Sequence, residues 1–279
     1  MTSDIQISLV ASANRPIVQG GFKNWERFMN SLKGNKLNYE VIFVGNVKPP
    51  YPMPDNFRHI HATVKPAQCY EIGFRASKGE LVHWTADDAD YNAPQRNCPN
   101  TLDIAYERYQ KMEKQHNYDK KSVVAFRPIE DGGDVYKFHH FFGGWEHTPT
   151  MAPFALINRD YFVNKLGGYD KRFVSGQSEN DVIMRVYEDG GRVEVCLEAF
   201  LYVHHRQVHP RKGGKEDNKF RQWYNTDRQV LEDCWIPAGY GNYEKKNEKV
   251  EISKKRLSPV QRFEDRDICT VTQGLKGIW

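Results

Sequence analysis

Asp87, Asp88 and Asp90 place three carboxylates within four positions. Like charges this close repel, and a divalent cation between them relieves the repulsion most readily. Hard cations such as Mg²⁺ or Mn²⁺ take oxygen ligands and can keep a diphosphate as a further ligand. The plain alternative is a solvated acidic turn. The preceding residues favour the metal: Gly79 ends one segment, and Leu81-Val82-His83-Trp84-Thr85 reads as a short buried strand running straight into the carboxylates. Open α/β sheets bind ligands at such carboxyl ends of strands.

Two further stretches carry chemistry-bearing side chains. Between Ile129 and Pro153, four glycines surround Tyr136, Phe138, His139, His140, Phe141, Phe142, Trp145 and His147. This is either a packed surface hairpin or a platform for an acceptor, because aromatic faces with polar tips suit sugar rings. Trp145 and His140 are its candidate acceptor contacts. After Pro210, Arg211, Lys212, Lys215, Lys219 and Arg221 form a basic, glycine-containing segment. It is either a solvated loop or a lid whose Arg211 and Lys212 meet a diphosphate.

The elements that must position these groups follow from the apolar pattern. Ile5 to Ala11 reads as a buried strand, and Ser12 to Pro16 as a turn. Phe22, Trp25, Phe28 and Leu32 recur at helical spacing up to Gly34. Tyr39 to Val44 is a continuous apolar strand of parallel-sheet type. A proline-rich loop follows, then a short strand at Ile60 to Val64. Pro66 suits a first helical position, and Ala67, Tyr70 and Phe74 line one face up to Ser77. The first ninety residues therefore read β-α-β-β-α-β, a nucleotide-binding style of half-domain. Asn100 to Gln115 is an amphipathic helix, Ser122 to Phe126 and Phe154 to Ile157 are strands, and Asp160 to Leu166 is a short helix. Ser178 precedes a helix that begins with Val182, Ile183, Met184 and Val186. Ser178 suits a cap with Asp181 as the capping-box acid; Asp181 has an equally plain functional reading. Arg192 to Val203 alternates as a strand and delivers His204, His205 and, after a turn, His209. Asn218 to Trp235 reads as a last helix, followed by a polar stretch and a mixed C-terminal tail.

The 279 residues suit one α/β domain with an appendage, with boundaries expected at 1–209 and 210–279 and a division of the first unit near Tyr91. A hydrophobic content of 39%, a third of it aromatic at 13%, is enough for a core. The net charge of +4 does not by itself imply nucleic-acid binding. Five scattered cysteines without a CxxC pair argue against a zinc knuckle or redox pair and fit a reducing compartment. The first residues show no signal-peptide pattern, and no apolar run approaches the ~20 residues of a membrane span. A cytoplasmic location is expected on those grounds.

The order of motifs resembles the family-2 type of nucleotide-sugar glycosyltransferase with the GT-A fold, over roughly Ile5 to His209. The turn Ala13-Asn14-Arg15-Pro16, the Lys78-Gly79-Glu80 strand start, Asp88-Ala89-Asp90 and the Gly167-Gly168-Tyr169-Asp170 turn carry the likeness. Ser178-Glu179-Asn180-Asp181-Val182-Ile183-Met184-Arg185 completes it. The resemblance implies a Rossmann-like open mixed sheet flanked by helices, with a C-terminal helical and extended appendage. It implies inverting transfer of a sugar from a nucleotide-diphosphate donor to a hydroxyl acceptor, such as a glycan, with Mn²⁺ or Mg²⁺ as cofactor. On the same footing, Asp88 and Asp90 hold the metal, and His204 or His205 supplies a third ligand. Glu179, or else Asp181, is the base. Ala11, Ala13, Asn14, Arg15, Gln68 and Asp87 contact the nucleotide sugar, Asp87 at the ribose or in place of Asp88. The acidic pair the family carries after its second strand is Gly45-Asn46 here, so Asn46 or a backbone group reads the nucleobase. The family's asparagine on the helix before the metal strand is replaced near Glu71, and the usual register sets an aspartate where Ala86 stands.

Other readings predict other signals. A nucleotidyltransferase calls for a glycine-rich basic loop near the N-terminus, and Ala11 to Gly21 is only weakly of that kind. A non-catalytic carbohydrate- or nucleic-acid-binding protein would keep its ligand without Asp88 and Asp90. A transferase acting on modified DNA bases would show steeply salt-dependent DNA binding.

Overall fold

A computed structural model describes residues 4–13, 21–92, 98–130, 132–135, 150–204 and 215–235. Among these residues the continuous apolar runs become the middle of a nine-stranded mixed sheet flanked by helices. Strand β1 (Ile7–Ser12) pairs in parallel with β2 (Tyr39–Gly45) and with β4 (Leu81–Ala86), and β2 pairs in parallel with β3 (Phe57–His61). Beyond β4 the direction reverses. Antiparallel β8 (Ala155–Asn158) follows, then β6 (Ser122–Glu130), β9 (Arg192–Val203) and the two-residue β5 (Ala89–Asp90). A further short strand, β7 (Gly133–Asp134), folds back on β6.

Side chains alternate across a strand, so each run feeds two cores. Ile7, Leu9 and Ala11 of β1 face helices α1 (Gly21–Ser31) and α3 (Thr101–His116), with Trp25, Phe28, Leu102 and Tyr109. Val10 faces the opposite layer with α2 (Pro66–Ala76), α4 (Ser178–Glu188) and α5 (Lys215–Trp235). Leu231, Cys234 and Trp235 belong to that second core, so the end of α5 is an integral part of it.

The Lys78-Gly79 step has a steric reason. Gly79 N–H donates to Ser8 Oγ at 2.8 Å and Lys78 N–H to Glu40 Oε1 at 2.6 Å. A Cβ on Gly79 would stand 2.6 Å from the Ser8 nitrogen. Glycine therefore lets β4 begin hard against β1.

Three expectations move. The third strand lies at Phe57–His61, earlier than Ile60 to Val64, because pairing with β2 begins at Val41↔Phe57 and ends at Gly45↔His61. Ala62 and Val64 are buried but lead into α2. Strand β6 continues past Phe126 through an irregularity at Phe126/Arg127, taking Ile129 and Glu130 out of the expected loop. The short helix after β8 is a single π-helical turn, Tyr161–Lys165.

Candidate active site

Asp87 and Asp88 form the turn that joins β4 to β5. Since Ser12 pairs with Ala86, this turn opens beside Ala13 at the carboxyl edge of the parallel strands. Ala11 and Ala13 are fully buried, and Ala13 N–H continues the pairing by donating to Val44 O at 2.8 Å. Asn46 leaves β2 at the same edge. The chain ends of β1, β2 and β4 thus bring Ala13, Asn46 and Asp87 to one rim of the sheet.

The turn is anchored from below. Trp25 Nε1–H donates to Asp87 Oδ2 at 3.1 Å, and Arg27 Nη2 bridges Asn24 Oδ1 at 3.0 Å and the Asp88 carbonyl at 3.3 Å. Tyr91 N–H donates to Ser31 Oγ at 2.9 Å. The Tyr91 hydroxyl lies 2.8 Å from His83 Nε2 and 2.5 Å from Thr85 Oγ1. His83 Nδ1 lies 2.8 Å from the Ala155 carbonyl, which can only accept, so Nδ1 carries the proton and Nε2 accepts from Tyr91. Complete burial holds this imidazole neutral, pushing its pKa down to about 3. A neutral chain from Ala155 through His83 and Tyr91 to Thr85 therefore fixes both sides of the acidic turn.

The three carboxylates differ in surroundings. Asp87 and Asp88 are 1% and 0% exposed. The Asp90 side chain is 22% exposed. Strand β9 pairs with β5 through Ala89↔Val203 and Asp90↔Tyr202, which carries His204 to the turn. His204 Nε2 lies 4.0 Å from Asp90 Oδ2, and its side chain is 24% exposed. Asp90 Oδ1 accepts from Asn92 N–H at 2.9 Å. A half-open carboxylate beside an imidazole can offer an oxygen and a nitrogen to a divalent cation that takes its other ligands from a diphosphate. Among the described residues no group of three or more His, Cys, Asp or Glu side chains is gathered so as to hold a metal. The pair fits a cation shared with a ligand, not one caged by protein alone.

Glu179 lies in the first turn of α4, where the helix dipole favours a carboxylate. Ser178 Oγ is 3.5 Å from Glu179 Oε2. Burial raises the pKa of Tyr169 well above its ordinary value, and the nearby Glu179 carboxylate adds to it. Tyr169 lies 5.9 Å from Tyr70 between ring centroids, and Tyr70 donates to the Thr85 carbonyl at 2.6 Å. These contacts tie Tyr169, which lies near Glu179, to the end of β4 through Tyr70.

The capping expectation is corrected. Helix α4 begins at Ser178 itself, the N-cap is Gln177 with φ 64°, and no side chain caps it. Asp181 is buried, with Arg185 Nε at 2.9 Å from Oδ2 and Trp235 Nε1 at 3.0 Å from Oδ1. Gln68 takes up the start of α2, accepting from Lys65 N–H at 3.1 Å. Glu71 holds the double-glycine turn, accepting from Tyr169 N–H at 3.1 Å and from Arg75 Nε at 3.1 Å. Asn14, Arg15, His140, Trp145, His205, Arg211 and Lys212 lie outside the described residues. Sequence reasoning missed Trp25 and Tyr91 as supports of the turn. Trp25 reads only as one member of an apolar stripe, while Tyr91, next to Asp90, carries the visible signal of a phenol close to the acidic cluster.

The same architecture occurs in solved structures of S. aureus TarS. Two structures of S. aureus TarS residues 1–349, one in complex with UDP, match with TM-scores of 0.51 and 0.52 at 11% identity; each match covers 87% of this chain and 77% of that one. A further S. aureus TarS structure matches with a TM-score of 0.54 at 13% identity, over 83% of this chain and 40% of that one. At such identities the likeness establishes the fold. No family model matches the sequence, and no curated protein matches it either.

Proposed function

We propose that this chain is an inverting, metal-dependent glycosyltransferase that moves a sugar from a nucleotide-diphosphate donor to a hydroxyl acceptor. The observation that carries the reading is the pairing of Asp90 with His204, 4.0 Å apart, beside the sheet rim that also holds Ala13 and Asn46. A TarS structure of the same fold is in complex with UDP, which supports a nucleotide diphosphate as the ligand of this chain. Ala13 and Asn46 would flank the nucleoside. Asp90 and His204 would hold Mn²⁺ or Mg²⁺, which when bound neutralises charge on the diphosphate.

The acceptor oxygen attacks the anomeric carbon from the face opposite the diphosphate. The new glycosidic bond forms as the bond to the diphosphate oxygen breaks, and that oxygen leaves with the electron pair. Glu179 takes the proton from the acceptor hydroxyl. Asp181 is committed to Arg185 and Trp235, so the base role goes to Glu179. Asp87, held by Trp25, and the buried Asp88 shape the turn that aims Asp90. The His140 and Trp145 segment is proposed for the acceptor, and Arg211 and Lys212 for the diphosphate.

Thermal melting with UDP, GDP, CDP and dTDP, each with and without Mn²⁺, tests the reading. A ligand at a hundred times its dissociation constant stabilises by about 2.7 kcal/mol. One nucleotide should raise the melting temperature only with Mn²⁺, and Asp90→Ala or His204→Ala should abolish the gain. A panel without any shift would count against the proposal.

A further inference from the structure

The candidate base sits in a segment gripped by α5, a helix that none of the recognised motifs includes. The Asp227 carboxylate is fully buried and accepts from three consecutive main-chain N–H groups. Val174 N–H reaches Oδ1 at 2.7 Å, and Ser175 and Gly176 N–H reach Oδ2 at 2.7 and 2.8 Å. On its other side this loop is tied to α2, where Ala67 N–H donates to Val174 O at 3.0 Å. Gln177 then turns left-handed and α4 starts, with Glu179 as its second residue.

The same helix grips the chain again beyond Glu179. Trp235, about 12 Å further along α5, donates its indole N–H to Asp181 at 3.0 Å. Arg172 Nη2, ahead of the loop, lies 3.3 Å from Cys234 Sγ. One helix thus fixes residues 172, 174–176 and 181, and Glu179 lies inside that span. Burying a carboxylate is costly, and apolar side chains such as Leu231 would dock α5 without that cost. What three aligned N–H bonds add is a fixed course for the main chain.

We propose that Asp227 is a positioning residue for the reaction: by holding Val174 to Gly176 it sets where Glu179 meets the acceptor hydroxyl. The inference rests on Glu179 being the base, as argued above.

The test uses the full chain carrying Asp227→Asn, which keeps the size of the side chain but turns an amide NH₂ toward a main-chain N–H. Two readouts are taken: amide hydrogen exchange, and steady-state release of nucleotide from UDP-, GDP-, CDP- and dTDP-sugars with Mn²⁺. Exchange at residues 174–181 should quicken at least tenfold while β1 and β4 keep their protection. The kcat should fall at least tenfold with the donor KM within twofold, and Asp227→Glu should recover part of it. Wild-type exchange at 174–181, an unchanged kcat, or a kcat loss matched by an equal rise in donor KM would each overturn the proposal. If Asp227→Asn does not fold, Asp227→Glu, which keeps the carboxylate but displaces it by one methylene, decides by the direction of the same two readouts. Glu179→Gln separates the two ideas: wild-type turnover in that variant refutes the base assignment whatever Asp227 does. If the wild-type protein releases no nucleotide, the functional reading fails, and exchange alone decides whether Asp227 orders the loop.

Discussion

Asp88 and Asp90 stand two residues apart and yet meet different surroundings, because the turn before β5 buries Asp88 while β5 carries Asp90 beside His204. Asp88 is fully buried, whereas Asp90 keeps 22% of its side chain exposed beside an imidazole. Asp90→Ala should therefore cost little stability and remove the Mn²⁺-dependent gain in melting temperature. Asp88→Ala should lower the melting temperature without ligand, and parallel melts of the two variants check both. His83 supplies a second prediction at this scale. A histidine in the unfolded chain takes up a proton near pH 6.5, and buried His83 does so only near pH 3. In that window the unfolded chain binds more protons, so His83 makes stability fall as pH falls, by roughly 3 kcal/mol between pH 7 and 4. Denaturant unfolding should show the stability gap between wild type and His83→Phe narrowing over that range. A constant gap would show that His83 titrates normally.

Short elements position the site, and they are held by few bonds. Strand β5 has two residues, and the Tyr91 hydroxyl just beyond it ties His83 to Thr85. Tyr91→Phe leaves His83 Nε2 buried without a donor and should destabilise by about 1–3 kcal/mol, read by chemical denaturation. The Gly167-Gly168 turn is as demanding. Gly168 has φ +67°, and a Cβ there would stand 2.6 Å from Glu71 Oε2. Gly168→Ala should cost about 1–3 kcal/mol from the backbone alone, plus the displacement of Glu71 from Tyr169 N–H. The long apolar strands around these elements were legible in the sequence, since β1, β2 and β4 are buried on both faces and read as continuous runs. Strand β3 was harder, because His59 and His61 occupy its alternating positions and hide the pattern. The acidic turn was legible from residue type and order, since an apolar strand runs straight into its carboxylates. The supports were not: Asp227 meets Val174 across 53 positions, and Trp235 meets Asp181 across 54. Nothing local to either residue announces such a partner.

At the scale of the molecule, parallel strands end at one rim, and the reversal at β8 brings β6 and β9 round to deliver His204 to that rim. No helix among the described residues is long and apolar enough to cross a membrane. The two cores on opposite faces of the sheet place α1 under the acidic turn and α5 behind Glu179, so each half of the proposed site is backed by its own layer. The sharpest measurement is release of free nucleotide from UDP-, GDP-, CDP- and dTDP-sugars with Mn²⁺ by the wild-type protein and by Glu179→Gln. Release is expected from one donor, at a rate that falls at least about 100-fold in the variant, the scale of lost general-base catalysis, while donor affinity is kept. Release from no donor, or equal rates in the two proteins, would contradict it.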